Sequence, residues 1–210
     1  MNIAIPIFDR VTALDAVGPY EVLSRLPGAH VHLLAGSQGP QRTENGMLAL
    51  HADATLEQLP DPEVIVVPGG FGTRELMHDE SMLGWLRAAH ETSAWTTSVC
   101  TGSLLLAAAG ILDGLEATTH WMALEVLAEY GARPVSRRVV EQGKVITAAG
   151  VSSGIDMALT LAARVAGEDV AKAIQLGIEY DPEPPFESGS VAKAHPDVVA
   201  LVERAAAQYA

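Results

Sequence analysis

Four short segments of the chain are rich in apolar and β-branched residues, and segments with helical spacing of apolar positions lie between them. These runs cover residues 3–8, 31–35, 64–67 and 95–99. Strands without polar alternation are typical of a sheet that is covered on both faces. Because these strands alternate with helical patterns at residues 16–26 and 74–90, the chain is predicted to form an α/β fold. The expected core is a mostly parallel central sheet with helices on both faces, of the flavodoxin-like class.

The second half of the chain has a different pattern. Two β-rich pieces within residues 138–148 flank Gln142-Gly143, which predicts a small β-hairpin. Further helical patterns cover residues 153–166, 169–180 and 197–208. The proline-rich segment 181–186 is expected to end the second of these helices, because proline cannot continue a helix. No repeat or interdomain linker is visible, so residues 1–210 are predicted to form a single domain.

The composition limits the classes of partner. Of the 210 residues 49% are hydrophobic, and the formal net charge is −13, from 26 acidic and 13 basic side chains. A sequence-independent nucleic-acid binder or a protein that docks on anionic lipid needs an excess of Lys and Arg on one face, so we expect no nucleic-acid and no membrane partner. No apolar run is long enough to span a bilayer, and the first ten residues lack the pattern of a secretory signal. We therefore expect a cytoplasmic location.

The one cysteine, Cys100, lies where a predicted strand meets a predicted helix. Gly102 and Ser103 are small enough for a tight turn, and a helical apolar run follows at residues 104–109. The N–H groups of the helix start would stabilise a thiolate, so the position predicts a nucleophile with a lowered pKa. The alternative is a buried cysteine that serves as a small apolar side chain. One cysteine gives no intrachain disulfide and no cysteine-based zinc site, and the seven histidines show no ligand spacing, so no metal is expected.

Three other features are candidates for the sheet edge where open α/β folds bind their ligands. Gly69 and Gly70 follow a predicted strand, where they could form half of an oxyanion hole or an ordinary glycine turn. Asp15 lies between the first strand and the first helix, where it could be an acid or base, or the N-cap of that helix. His120 could pair with the cysteine, or it could begin a helix and make structural hydrogen bonds.

Taken together, these segments resemble the ThiJ/PfpI superfamily, whose fold is that of the class I glutamine amidotransferases. The matching segments read LDAVGPYEVL, VIVVPGG, TSVCTGSLLLAAAGIL, ATTHW, GIDMALTLAA and IEYDPEPPFESGS, and they span nearly the whole chain. Within the superfamily the chain is most similar to the isocyanide hydratase branch. Protease-like and amidase-like members carry His directly after the cysteine, where this chain has Thr101. Many sensor and glyoxalase-like members carry Glu where this chain has Asp15.

The resemblance implies a role for each matching position. Cys100 would be the nucleophile, and Asp15 would be the carboxylate beside it. Thr101 would line the site, and the amides of Gly70 and Thr101 would be the donors of an oxyanion hole. Val151 would stand where a backbone amide approaches the thiolate.

The implied reaction is the addition of water to an isocyanide, which gives an N-substituted formamide through a thioimidate on Cys100. His120 and Trp121 would then contact the small-molecule substrate, no cofactor would be needed, and the protein would be a homodimer with its site near the interface. Two alternatives stay open. One is a glyoxalase or deglycase that acts on 2-oxoaldehydes, and the other is a redox-sensing or ligand-binding module in which the cysteine becomes oxidised.

Overall fold

The computed structural model describes residues 1–207. They divide into two compact units, Met1–Ile178 and the described part of Glu179–Ala210. The first unit contains the central sheet. The organisation of residues 1–210 as a single domain stays a prediction.

The described strands all lie in the first unit, and the described helices occur in both units. The strands of the described residues, named β1–β11 in chain order, are Asn2–Pro6, His30–Ala35, Gly39–Arg42, Ala49–Ala52, Ala54–Thr55, Val64–Val67, Trp95–Val99, Glu116–Ala117, Arg133–Pro134, Val139–Gln142 and Val145–Ala148. The α-helices, named α1–α8, are Ala13–Leu23, Thr73–Leu76, Glu80–Thr92, Gly102–Ala108, Leu124–Glu129, Ser153–Ala166, Glu168–Gly177 and Pro196–Ala206. Leu56–Gln58 and Trp121–Ala123 are short 3₁₀ helices.

In the described part of the chain, seven strands form the central sheet in the order β10-β11-β7-β6-β1-β2-β5. Each neighbouring pair is parallel except β10 with β11. The predicted mostly parallel sheet and its small hairpin are therefore confirmed. Gln142 pairs with Val145, so Gly143 and Lys144 form the turn, one position later than predicted. The φ of Gly143, +61°, is the left-handed conformation that a two-residue hairpin turn requires.

Apolar layers cover both faces of the sheet. Successive strand residues point to opposite faces, so Ile65 packs into one layer and Val66 into the other. The first layer contains Leu105 of α4 with side chains of α3 and α5, and the second contains Leu161 of α6 with side chains of α1 and α7. This double covering explains why β6 is apolar throughout and why even the polar residues of β7, Thr96, Thr97 and Ser98, are buried.

Three helices differ in their bounds from the prediction. The helix α1 begins and ends earlier than expected. The helix predicted over residues 74–90 is instead the pair α2 and α3, because Asp79 has an extended backbone and its carboxylate accepts hydrogen bonds from the N–H groups of Ser81 and Met82. The helix α7 ends at Gly177, so the proline-rich segment follows its end rather than causing it.

The second unit contains α8 within its described residues. The side chain of His195 caps this helix, because Nδ1 accepts a hydrogen bond of 3.3 Å from the N–H of Asp197. The predicted final helix is therefore present, although its expected last residue, Gln208, lies outside the described residues. Across residues 1–207, no helix combines the length and the apolar character that crossing a bilayer demands.

Candidate active site

The candidate site lies where the order of the strands reverses. The chain proceeds from β1 to β2 and β5 on one side, and then returns to β6 and β7 on the other side of β1. Open α/β sheets bind ligands at the carboxyl ends of the strands at such a point. Here the segments that follow β1, β6, β7 and β11 carry Asp15, Gly69, Cys100 and Val151.

Cys100 lies on the turn between β7 and α4, as the sequence predicts. Its φ of +54° is in the left-handed region, which a residue with a Cβ adopts only at a cost in energy. The N–H of Cys100 donates to the carbonyl oxygens of Ala148 and Ala149, at 3.1 and 3.0 Å. The residue is 5% exposed. The end of β11 therefore helps to hold the nucleophile in its strained conformation.

The start of α4 passes very close to the end of β6. A Cβ on Gly102 would lie 2.1 Å from the carbonyl oxygen of Val67, which is far inside van der Waals contact. Glycine is therefore required here by close approach, and its small size lets the helix begin directly beside the neighbouring strand.

Asp15 is fully buried in the first turn of α1. Thr12 is the N-cap residue, so the alternative prediction that Asp15 caps the helix is wrong. Its Oδ2 accepts a hydrogen bond of 2.9 Å from the N–H of Gly69, and its carboxyl group also interacts with the thiol of Cys100. Among the described residues Oδ1 has no hydrogen-bond partner. This second carboxyl oxygen is therefore buried without a hydrogen bond to offset its removal from water.

Burial changes the protonation of this carboxyl group. It raises the pKa of Asp15 to about 8, and the negative charge of Glu44 acts in the same direction. The hydrogen bonds from Gly69 and Cys100 lower the pKa but do not outweigh burial. At neutral pH Asp15 is therefore mainly protonated and can donate a proton.

The thiol is affected in the same way. Burial raises the pKa of Cys100, and the nearby Asp15 charge raises it further. The amides of Val151 and Thr101 donate toward the sulfur and lower the pKa by a smaller amount. The predicted lowering of the thiol pKa is therefore wrong, because removal from water outweighs the N–H groups at the start of α4.

Thr101 and the two glycines after β6 are in direct contact. The N–H of Gly70 donates to Oγ1 of Thr101 at 2.9 Å, so this expected oxyanion donor already has a partner. A Cβ on Gly69 would lie 2.6 Å from the backbone nitrogen of Thr101. The glycine pair therefore gives the Thr101 amide its space, and the oxyanion role of Gly70 stays a prediction that requires the Thr101 hydroxyl to move.

Val151 lies between β11 and α6, where its N–H donates toward the thiol of Cys100. Its φ is +25°, a value that a β-branched residue rarely adopts. The structure thus brings Val151 to the place that the resemblance implies. Its part in the reaction stays a prediction.

His120 and Trp121 lie together at the start of a 3₁₀ helix. Nδ1 of His120 accepts a hydrogen bond of 3.4 Å from the N–H of Met122, which is the structural alternative that the sequence left open. Burial lowers the pKa of His120, and this histidine is not among the groups that act on the Cys100 thiol. The ring centroids of His120 and Trp121 are 5.6 Å apart. Their contact with substrate stays a prediction.

Two features of the site were not predicted from the sequence. Glu44 affects the pKa of both Asp15 and Cys100, and its Oε2 accepts a hydrogen bond of 3.1 Å from the Thr12 hydroxyl. It lies in a loop far along the chain from both, so no local pattern identifies it. Thr119 donates from Oγ1 to the carbonyl oxygen of Cys100 at 3.0 Å. It lies in the ATTHW segment, where the histidine and tryptophan attract attention instead.

The arrangement combines a nucleophile with a proton donor in a site shielded from water. The sulfur of Cys100 can attack an electrophilic carbon while Asp15 supplies or accepts a proton. Across residues 1–207, no group of three or more His, Cys, Asp and Glu side chains is placed to hold a metal ion. The geometry therefore suits covalent catalysis with acid–base assistance from these two side chains.

Comparison with known proteins agrees with this geometry. Isonitrile hydratase of Pseudomonas putida is 44% identical over 207 residues, which cover 99% of this chain and 90% of that protein. The HTH-type transcriptional regulator CdhR of Pseudomonas aeruginosa is 32% identical over 171 residues, which cover 80% of this chain and 50% of the regulator. The crystal structure of a ThiJ/PfpI family protein from Pseudomonas syringae matches with a TM-score of 0.94 and 36% identity, over 99% of this chain and 86% of that one. The sequence profile of the DJ-1/PfpI family matches residues 1–164. The chain belongs to the DJ-1/PfpI family.

Proposed function

We propose that this protein is an isocyanide hydratase, a hydro-lyase that adds water to an isocyanide and releases an N-substituted formamide. Isonitrile is another word for isocyanide, and the similarity to the Pseudomonas putida enzyme extends over 99% of this chain. The observation that carries the proposal is the fully buried carboxyl group of Asp15, which interacts with the Cys100 thiol. An isocyanide carbon needs a nucleophile and a proton at the same atom, and this pair supplies both.

The first step is addition of the thiol across the isocyanide carbon. The sulfur of Cys100 forms a bond to that carbon, and the Asp15 carboxyl proton forms the new C–H bond. The carboxylate regains its proton from the thiol, and the carbon–nitrogen triple bond becomes a double bond. The product is a thioimidate, R–N=CH–S, on Cys100. The free Oδ1 of Asp15 is the buried oxygen that can face the substrate during this transfer.

The second step releases the product. Water attacks the thioimidate carbon, and one of its protons passes by way of the Asp15 carboxyl group to the nitrogen. The tetrahedral adduct then loses its C–S bond, and the hydroxyl proton moves to the sulfur as the C=O bond forms. The products are R–NH–CHO and the free thiol of Cys100. The reacting carbon has the same oxidation state in the isocyanide and in the formamide. The reaction therefore needs no redox cofactor.

The 44% identity to isonitrile hydratase of Pseudomonas putida favours the hydratase over the redox-sensor alternative. An uncharged isocyanide suits the buried site, because its entry does not require that a charge lose its water. The protonated Asp15 also needs no cationic partner.

The direct test is an assay of the purified protein on one aliphatic and one aryl isocyanide, with methylglyoxal as a parallel substrate. We expect formamide to appear in an amount equal to the isocyanide consumed, and methylglyoxal to be left unchanged. Consumption of methylglyoxal without isocyanide turnover would leave the family in place and overturn the choice of activity.

We further propose that the protein is a cytoplasmic homodimer that forms one domain over residues 1–210. The dimer is supported by the resemblance to dimeric members of the superfamily. Light scattering at micromolar concentration should give about twice the chain mass of 22.1 kDa. Calorimetry should give one cooperative unfolding transition. A particle of 22.1 kDa, or two separate transitions, would contradict these expectations.

A further inference from the structure

The carbonyl oxygen of Cys100 is held by two buried hydroxyl groups. Oγ of Ser103 donates to it at 3.1 Å, and Oγ1 of Thr119 donates to it at 3.0 Å. The N–H of Ser103 donates to the same oxygen at the longer distance of 3.4 Å, so the two hydroxyl groups are its closer donors. Ser103 and Thr119 are 0% and 1% exposed, so water does not compete for the same oxygen.

Fixing this oxygen also fixes the next amide. The peptide bond between Cys100 and Thr101 is planar and trans, so the carbonyl group and the following N–H point in opposite directions. The N–H of Thr101 is directed toward the Cys100 sulfur. Its nitrogen lies on the side of the missing Gly69 side chain, where a Cβ would be 2.6 Å away. The two hydroxyl groups on one edge of the peptide therefore set the aim of the amide on the other edge.

The two donors differ in origin. Ser103 belongs to the first turn of α4, and its hydroxyl bonds back to the carbonyl three residues earlier, as serine commonly does within a helix. Thr119 comes from a separate segment that leads away from β8. That segment is attached to β11, because the N–H of Thr118 donates to Oγ1 of Thr147 at 2.9 Å. Thr119 is thus the donor that connects the turn of Cys100 to the central sheet.

We infer that Thr119 is a positioning residue, whose hydroxyl orients the Cys100–Thr101 peptide so that the Thr101 N–H stays aimed at the reacting sulfur and carbon. This inference rests on the proposed function, because it assigns the amide a part in the same reaction. The Thr101 N–H stabilises the thiolate before attack and the charge that develops on the substrate afterwards. A turn that lacked the Thr119 hydroxyl would keep Ser103 as a donor, so the peptide would remain present but less firmly aimed.

The test compares Thr119→Val with Thr119→Ser and with Thr118→Val. Valine replaces the hydroxyl by a methyl group of similar shape, and serine restores the hydroxyl. Thr118 is equally buried, and no hydrogen bond joins its hydroxyl to Cys100, so its valine variant is a matched control. Two readouts are needed: kcat and KM on an isocyanide, and the rate of Cys100 alkylation by iodoacetamide as a function of pH.

We expect Thr119→Val to lower kcat by about 10-fold with little change in KM, since a misdirected donor acts mainly in the transition state. The rate of alkylation at any fixed pH should fall about threefold, because the thiolate loses part of its amide stabilisation and a smaller fraction of the thiol is ionised. Thr119→Ser should restore both values, and Thr118→Val should leave both near the wild type.

The alkylation readout does not depend on the substrate, so it separates the two proposals. If the wild type does not hydrate isocyanides, the proposed function fails, and the change in alkylation rate still decides the role of Thr119. If Thr119→Val lowers thermal stability but leaves the alkylation profile and kcat of the folded enzyme unchanged, Thr119 is only structural and the inference is overturned.

Discussion

The turns after β6 and β7 leave the same edge of the sheet, yet they use opposite means to reach unusual backbone conformations. After β6 the chain uses glycine, and Gly70 has a φ of +137°, which costs glycine little. After β7 it uses Cys100, whose φ of +54° places a Cβ in the left-handed region. The first turn carries no side chain at its special positions, and the second carries the only thiol in the sequence.

The difference shows what each turn contributes. The glycine turn provides space and backbone N–H groups close to Thr101 and Asp15. The cysteine turn provides the nucleophile, and its strain, of the order of 1–3 kcal/mol, is offset by hydrogen bonds on both sides of the residue. The N–H of Cys100 donates to carbonyl oxygens at the end of β11, and its carbonyl oxygen accepts from the hydroxyl groups of Ser103 and Thr119. Chemistry and backbone freedom are therefore supplied by neighbouring turns rather than by one.

The largest expected effect comes from changing the atom that the cysteine turn presents. Cys100→Ser keeps the Cβ and the strained turn but replaces the sulfur by a hydroxyl that is far less ionised. Isocyanide turnover should fall by roughly 10⁴-fold or more, while thermal unfolding changes little. Steady-state assays of both proteins at the same pH measure this ratio, and a serine variant within tenfold of the wild type would remove Cys100 from the proposed mechanism.

The next effect tests the space that the glycine turn provides. Gly69→Ala would place a Cβ 2.6 Å from the Thr101 nitrogen and 2.9 Å from Oδ2 of Asp15. We expect the free energy of unfolding to fall by about 3 kcal/mol, because rigid backbone must shift, and turnover should fall as the amide and the carboxyl group are displaced. Urea unfolding and the isocyanide assay measure the two losses.

Gly36→Ala is the matched control for this substitution. No heavy atom lies within 4 Å of the Cβ it would add, and the residue is exposed. Its free energy of unfolding should stay within about 0.5 kcal/mol of the wild type. Equal stability of the two alanine variants would show that the turn after β6 has more room than the structure gives it.

Much of the fold follows from the sequence because its signals are local. The strands β6 and β7 have the bounds expected of them, and Cys100 lies on the predicted turn. The break between α2 and α3 was missed, although Asp79 is a good capping residue, because the helical spacing of apolar positions continues across it. The spacing of apolar positions indicates which face of a helix is buried, but it does not show where a capping residue ends one helix and begins the next.

The site was harder to predict, because its properties depend on burial and on distant segments. A helix start predicts a lowered thiol pKa, but the apolar layer around Cys100 reverses the direction. Asp15 looks like a cap in the sequence, and only the packing of α1 against the turn after β6 shows its carboxyl group bonded to Gly69. No sequence pattern identifies Glu44, since its charge comes close to Asp15 only when a loop distant in the chain folds against the site.

Asp15 connects the two turns, through the Gly69 amide on one side and the Cys100 thiol on the other. Asp15→Asn keeps the shape of the side chain but removes the transferable proton, so turnover should fall by roughly 10²-fold or more. Asp15→Glu keeps the carboxyl group but moves it by about one methylene, and it should also lose activity. An asparagine variant that turned over isocyanide at the wild-type rate would make Asp15 structural.

The same residue predicts how stability depends on pH. The pKa of Asp15 is raised from 3.8 to about 8 on folding, so between these values the folded state holds a proton that the unfolded state has lost. The contribution of this group to stability is fully present below the unfolded pKa and is lost as pH rises toward 8. Relative to Asp15→Asn, the wild type should lose about 1.4 kcal/mol per pH unit in this window. Urea unfolding of both proteins at pH 5, 6 and 7 measures the slope, and parallel curves would mean that Asp15 is ionised in the folded protein.

The smallest effect addresses the strain itself. Cys100→Ala and Cys100→Gly both remove the sulfur, so neither should show activity, but only glycine relieves the left-handed backbone. The left-handed backbone costs a non-glycine residue about 1–2 kcal/mol in the folded state. Glycine avoids this cost, but it also makes the unfolded chain more flexible, which offsets part of the gain in stability. The glycine variant should therefore be more stable than the alanine variant by up to about 1 kcal/mol.

The other turn offers the matched exchange, Gly70→Ala. This substitution should lower stability, since the added Cβ would lie 2.4 Å from the carbonyl oxygen of Arg10. If alanine were the more stable residue at position 100, the hydrogen bonds from β11, Ser103 and Thr119 would have removed the strain, and the contrast between the two turns would lie in their chemistry alone.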